Sequence, residues 1–272
     1  MNTSAVTTFT LVIFFAGFIS FSNQLEAGVL SSSAAKVAAR KAATRQEIVR
    51  SRGVQERSAT GTVTSLTREE TVAMQRQLVA LDRNALGRIE ARYGEYIPAA
   101  KLRGSARCST CFLDRHTYDA HLRRSYPNLT AADRNAILGD FKNGKIFVNS
   151  EGRQIQTTVS HERFHQLSNQ GFRLRAGSRL DEGFTEHFSG KIYSDLALKD
   201  TPVVYRQEQR LVQMMQARVG ESSMAKAYFS GDIASLRQSL DSQLGRGAFQ
   251  QIIRQAERGN FVAAERVLMR GL

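Results

Sequence analysis

The chain has 272 residues, 42% apolar and 23% charged, with 38 Lys and Arg against 25 Asp and Glu for a formal charge of +13. These are the fractions of a globular chain able to bury a core in one large domain or two small ones; three prolines and no tryptophan argue against a turn-rich sandwich. The charge favours acidic partners such as phospholipid head groups, cell-wall polymers or acidic polypeptides, with a merely solvated basic surface as the alternative, and nucleic acid is disfavoured.

Val6 to Phe21 are almost wholly apolar or small, and a more polar stretch from Ser20 ends in Ala27-Gly28. Residues 1–27 therefore read as a secretory signal with cleavage near Ala27, which implies export to a secreted or periplasmic location. The alternative is a membrane anchor through residues 5–22: the first residues lack Lys and Arg, whereas Lys36, Arg40 and Lys41 follow the apolar run. Residues 28–66 are rich in Ala, Ser and basic groups and poor in large apolar ones, as in a linker or pro-region. Their basic 36–57 part is a candidate contact for an anionic surface.

Thr67-Arg-Glu-Glu is a helix start, with Thr67 as cap and Glu70 three residues on. Val72, Met74, Leu78, Leu81, Leu86 and Ile89 continue an apolar stripe to about Tyr93, giving a helical segment over 67–95. Cys108 and Cys111 form one Cys-x-x-Cys, which in an exported protein allows a tight local disulfide; free thiols are the alternative. A zinc site from Cys108, Cys111, His116 and His121 has spacings shorter than the usual finger pattern. Asn128-Leu-Thr-Ala-Ala-Asp predicts a helix to Leu138, and Asn143-Gly144 predicts a turn into a strand at Lys145–Asn149. A helix follows from about Gln156 to Ser168. Beyond Pro202 helices are predicted over 203–219, 221–229, 232–244, 247–257 and 260–270, punctuated by glycines.

The chemistry-bearing pattern is His161-Glu162-Arg163-Phe164-His165. Helical positions i and i+4 share a face, so His161 and His165 can present two imidazoles to one metal ion. Glu162, beside the first histidine, is placed to act as general base toward a water that zinc acidifies. A catalytic zinc needs a third protein ligand and an open position, and Leu180-Asp-Glu-Gly-Phe-Thr-Glu-His187 offers the acids. A donor toward the developing oxyanion is also expected, with Tyr193, Tyr205, Arg206 and Tyr228 as candidates.

Residues 145–195 resemble the gluzincin metallopeptidases, which pair His-Glu-x-x-His with a glutamate on a second helix in contexts such as Asn-Glu-Gly-Phe-Ala. Asp181-Glu182-Gly183-Phe184 is similar to that element, which makes Glu182 the implied third ligand, with Asp181 and Glu186 as competitors. The resemblance further implies that Glu186, four residues on, hydrogen-bonds a zinc histidine. It also implies that the strand at 145–149 is an edge strand above the cleft, pairing with an extended substrate. This sequence departs from the pattern in a short gap of 16 residues between His165 and Glu182, in the charged Arg163, and in the lack of an obvious upstream sheet; a minimal gluzincin is the nearest likeness.

The expected architecture is α+β and predominantly helical, a zincin-like catalytic core with a small sheet and an all-helical C-terminal part, over residues 96–272. The expected activity is hydrolysis of peptide bonds with one zinc per chain and a peptide or protein substrate. Two alternatives stand beside it: a non-enzymatic basic helical protein lying on an anionic surface, and a degenerate zincin that keeps metal without turnover.

Overall fold

A computed structural model describes residues 68–108, 110–152, 154–193 and 205–270. The predicted signal or anchor, the linker and its basic 36–57 part lie outside these residues. Among the described residues no helix is long and apolar enough to cross a membrane.

The first of the described helices, α1 (Arg68–Tyr93), has Glu69 and Glu70 in its first turn and Arg92 in its last, the arrangement that suits the helix dipole. A short 3-10 turn, Gly94–Tyr96, leads to α2 (Ala99–Arg107), β1 (Cys111–Leu113) and α3 (Arg115–Ser125). Next come α4 (Ala131–Ala136) and the hairpin β2 (Gly139–Lys142) and β3 (Lys145–Asn149). The second half is helical: α5 (Ile155–Leu167), α6 (Gln170–Ala176), α7 (Ser178–Tyr193), α8 (Arg206–Val219) and α9 (Glu221–Ala225). A π-helical turn, Lys226–Ser230, is followed by α10 (Ile233–Leu244), α11 (Ala248–Glu257) and α12 (Phe261–Leu268). The described residues are thus predominantly helical with one small mixed sheet.

The chain divides into two units. Ser65–Tyr118 and Leu138–Leu272 make up one, and of the other the described residues are 119–137. In that second unit the predicted helix start is present. Thr130 caps α4 in a reciprocal box with Asp133, but the helix stops at Ala136, two residues short of Leu138. Asp119 accepts from Arg134 Nε at 2.7 Å and from Arg123 Nε at 2.8 Å.

In the larger unit the strand order is β1-β3-β2, with β1 parallel and β2 antiparallel to β3. Asn143 and Gly144 both take positive φ, 51° and 77°, which is what a two-residue hairpin turn requires. One correction follows: Lys145–Asn149 is the central strand, paired on both sides, so it has no free edge for a substrate. The signal missed was β2. Its four residues, Gly-Asp-Phe-Lys, carry no strand-like alternation and become a strand only by pairing with β3.

One face of the sheet packs on α5 and α1 through Ile146, Val148, Val159 and Ala85. The main core lies on the far side of α5, where Phe164 and Leu167 meet Leu180, Phe184 and Phe188 of α7, Ile89 and Tyr93 of α1 and the C-terminal helices. Leu180, Phe184 and Phe188 recur at helical spacing, so the opposite face of α7 is left for Asp181, Glu182, Thr185 and Glu186. Burying side chains of this size contributes roughly 1.5–3 kcal/mol each, and α5, covered on nearly all sides, is fixed between two hydrophobic layers.

Candidate metal centre

Helix α5 supplies His161, Glu162 and His165, and α7 supplies the acids. Two close approaches bring them together. At Gly183 an added Cβ would stand 2.8 Å from the Glu208 carbonyl oxygen, so the absence of a side chain lets α8 press against α7. Gly177, at φ 87°, turns the chain into α7, whose first turn is capped by Glu257 of α11, accepting from the Arg179 amide at 2.7 Å.

His161, His165 and Glu182 form a group able to hold a metal ion. His161 Nε2 and His165 Nε2 are 3.1 Å apart, and Glu182 Oε2 lies 3.3 Å from the first and 3.4 Å from the second. Four donors around zinc at about 2.0–2.1 Å would stand about 3.3–3.4 Å apart along the edges of their tetrahedron. The three spacings match that triangle. The two imidazole Nε2 atoms are within hydrogen-bonding geometry of each other, whereas Glu182 Oε2 is buried without a hydrogen-bond partner. The three donor atoms stand close enough together for one metal ion to be held between them.

Both outer ring nitrogens are held. Glu186 Oε2 is 3.2 Å from His161 Nδ1, and Asp181 Oδ2 is 3.2 Å from His165 Nδ1. A proton on each Nδ1 satisfies those carboxylates and leaves an Nε2 lone pair on each ring for the metal. Asp181, considered above only as a competing ligand, is thus the orienting acid of the second histidine; Arg173 steadies it at 3.3 Å. Thr185 Oγ1 lies 3.4 Å from His165 Nδ1 and 2.6 Å from the Tyr228 hydroxyl, which the π-helical turn brings into the core. π-Turns often mark functional positions, and here one places a tyrosine behind the ligand shell.

The electrostatics belong to a metal-free cluster of acids and imidazoles. Burial lowers the imidazole pKa values, but the carboxylates outweigh it. Glu182 and Glu186 hold His161 well above its ordinary value, and Glu182 with Asp181 pushes His165 up to about 9. Burial raises Glu182, yet the two imidazoles hold it well below the usual carboxylate range. Glu162 is the contrasting acid: burial pushes it up to about 7, opposed by His161 and His165 and reinforced by Asp140 and Glu182. Its Oε2 is buried without a hydrogen-bond partner.

Strand β2 lies against Glu162. A Cβ at Gly139 would fall 2.7 Å from both Cγ and Oε1 of Glu162, and 2.6 Å from Thr158 Cγ2. Only glycine fits there.

Of the four donor candidates, Tyr205 stacks on His161 with ring centroids 6.0 Å apart and planes 13° from parallel. Burial raises its hydroxyl pKa, and Glu182, Glu208, Glu186 and Glu162 add to that. Arg206 follows it, exposed. Tyr228 stands behind His165, on the Nδ1 side, away from the converging Nε2 atoms, and the Tyr193 side chain lies outside the described residues. His187 contacts Gln216 at 2.5 Å and takes no part in the cluster.

Cys108 and Cys111 are free thiols, the second of the two states their spacing allows. Cys108, at the end of α2, donates from Sγ to the Gly144 carbonyl at 3.0 Å, whereas Cys111 is held in β1 opposite Phe147. Among the described residues Cys108, Cys111, His116 and His121 form no metal-sized group.

Arg163, the charged residue inside the motif, is 2% exposed and turned away from the metal face. It binds Asp82 of α1 in a fork, Nε to Oδ1 at 2.8 Å and Nη2 to Oδ2 at 2.5 Å. It also donates to the carbonyls of Ser105 at 3.0 Å and Cys108 at 2.9 Å. The departure from the zincin pattern is therefore an anchor that ties the metal helix to α1 and α2.

Compared with known proteins, the chain matches no family model, no curated protein and no solved structure.

Proposed function

We propose that the protein is a zinc-dependent metallopeptidase with a gluzincin-like core, His161, His165 and Glu182 holding the metal. The observation that carries this is the triangle of donor atoms at 3.1, 3.3 and 3.4 Å with the buried, unpartnered Glu162 Oε2 on the same helix as the two histidines. Zinc, when bound, polarises the substrate carbonyl and makes water acidic enough to be used near neutral pH.

The chain's own residues do the rest. Glu162 takes a proton from the attacking water at Oε2 and passes it to the leaving amine nitrogen. Asp181 and Glu186 keep the two rings oriented. Tyr205, stacked over His161, is the hydroxyl donor for the oxyanion.

Substrate is held by β2. Lys142 and Lys145 flank the two-residue turn as a hydrogen-bonded pair, and Asp140 and Phe147 form the next, so the main-chain groups of Gly139 and Phe141 point away from β3. An extended peptide that adds to this edge pairs with Gly139 beside Glu162, which brings its backbone to the general base.

The test is Glu162→Gln. One zinc per chain retained, with hydrolysis of a peptide pool lost by at least a hundredfold, is expected from removal of the proton carrier. Full activity in that variant sinks the mechanism, and zinc retained by a wild type that turns over no peptide favours a degenerate zincin.

A further inference from the structure

The π-helical turn Lys226–Ser230 is fastened to the end of the metal helix. Asn169, two residues beyond α5, donates its main-chain amide to the Tyr228 carbonyl at 2.8 Å. Its side-chain amide donates to the Ser230 carbonyl at 3.1 Å. Tyr228 is fully buried, with its ring centroid 5.3, 5.8 and 5.5 Å from those of Phe172, Phe184 and Phe188. A phenylalanine would serve that packing equally well. The hydroxyl reaches Thr185 Oγ1 of α7 at 2.6 Å.

The direction of each hydrogen bond at Thr185 is set by its neighbours. A hydroxyl has one proton to give and two lone pairs. Thr185 Oγ1 is 2.8 Å from the main-chain carbonyl of Asp181, which only accepts, so the threonine proton goes there. Tyr228 must then be the donor in the 2.6 Å contact. Thr185 Oγ1 keeps one lone pair, and it lies 3.4 Å from His165 Nδ1. Only an N–H can use that lone pair. The threonine therefore accepts beside the Asp181 carboxylate, which is 3.2 Å from the same nitrogen. A proton kept on Nδ1 leaves the Nε2 lone pair for the metal.

We infer that Thr185 and Tyr228 are positioning residues of the metal centre, a chain of two hydroxyls that fixes the tautomer and orientation of His165. Tyr228 acts through Thr185, and Thr185 acts through the imidazole. This rests on the reading of His165 as a metal ligand, and it is measurable without peptide turnover.

Two measurements on the full chain test it: zinc affinity in competition with a chelator, and the Nδ1 proton resonance of His165 in zinc-loaded protein carrying 15N-histidine. Thr185→Val keeps the side-chain shape and removes the oxygen. It should weaken zinc binding about tenfold and displace the resonance. Thr185→Ser, which keeps the hydroxyl, should hold both near wild type. Tyr228→Phe keeps the ring and should cause a smaller loss of affinity. Because the tyrosine acts through the threonine, Thr185→Val/Tyr228→Phe should bind zinc no more weakly than Thr185→Val alone. Unchanged affinity and resonance in Thr185→Val, whatever its Tm, overturn the inference, as do losses that add in the double variant. The expected pattern in a chain that cleaves no peptide upholds the positioning role and refutes the peptidase reading instead. A wild type that takes up no zinc refutes both.

Discussion

The buried fork between Arg163 and Asp82 allows a quantitative test of what the motif's unusual residue does. Arg163→Met leaves the Asp82 carboxylate, 6% exposed, without its counter-charge, and deprives the Ser105 and Cys108 carbonyls of a donor. Stranding one member of a buried pair costs about 3–5 kcal/mol; the Ser105 carbonyl keeps the Cys108 amide, so the lost carbonyl contacts add little. Asp82→Leu strands the guanidinium but leaves it Ser105, Gln166 and Cys108 as acceptors, so its loss falls at the lower end of that range. The double variant has no buried charge, and its deficit reduces to the carbonyls. It should therefore be more stable than Arg163→Met, with a coupling energy of at least about 3 kcal/mol in the cycle. Denaturant unfolding of metal-free protein measures this, and the single variants should lose about 6–20 °C in Tm. If the double variant is as unstable as the sum of the singles, the fork is not a coupled pair and the anchoring role is wrong.

Other expectations follow from the same geometry. Gly183→Ala puts a methyl 2.8 Å from the Glu208 carbonyl oxygen, so α8 must move away. Stability should fall by about 1–3 kcal/mol, and kcat should fall further as Tyr205 leaves His161; unchanged kcat and Tm would contradict the close approach. Asp181→Ala and Glu186→Ala should each weaken zinc binding 10–100-fold in competition with a chelator, whereas wild-type affinity in either would remove that residue from the centre. Because His165 is raised to about 9, it is protonated at pH 7 without metal, and zinc must displace that proton. Affinity should climb with pH up to at least about 9, because His161 is held high as well, with proton release visible by calorimetry in buffers of different ionisation enthalpy; no release at pH 7 is the refuting result.

Much of the helical framework was legible in the sequence. The stripe from Val72 to Ile89, the strand at Lys145–Asn149 and the glycine-punctuated C-terminal helices are found within a few residues of where periodicity and turn chemistry put them. Those signals are local, and local physics dominates them. Between 96 and 142 the signals conflict: α2, β1 and β2 are short and owe their form to tertiary partners, β2 to its pairing with β3 and the end of α2 to Arg163. The histidines could be found from spacing, and the acids of α7 from their likeness to the gluzincin element. The division of labour among the acids could not, because Asp181, Glu182 and Glu186 differ only in which ring nitrogen each meets across two helices. Arg163 looked like a blemish in the motif, and its partner Asp82 lies 81 residues away.

The hairpin turn at Asn143-Gly144 has a consequence for where the chain tolerates change in length. Surface turns ordinarily absorb insertions with little effect. Here the two-residue turn fixes which strand residue faces α5, and side chains alternate with period two. A single inserted residue that slips the register by one would exchange Gly139 for a neighbour with a side chain, Asp140 among them, in a space that admits no Cβ. The residue that must be absent beside Glu162 is thus set by a loop at the opposite end of the strand, and the length of that loop is as constrained as the identity of any ligand.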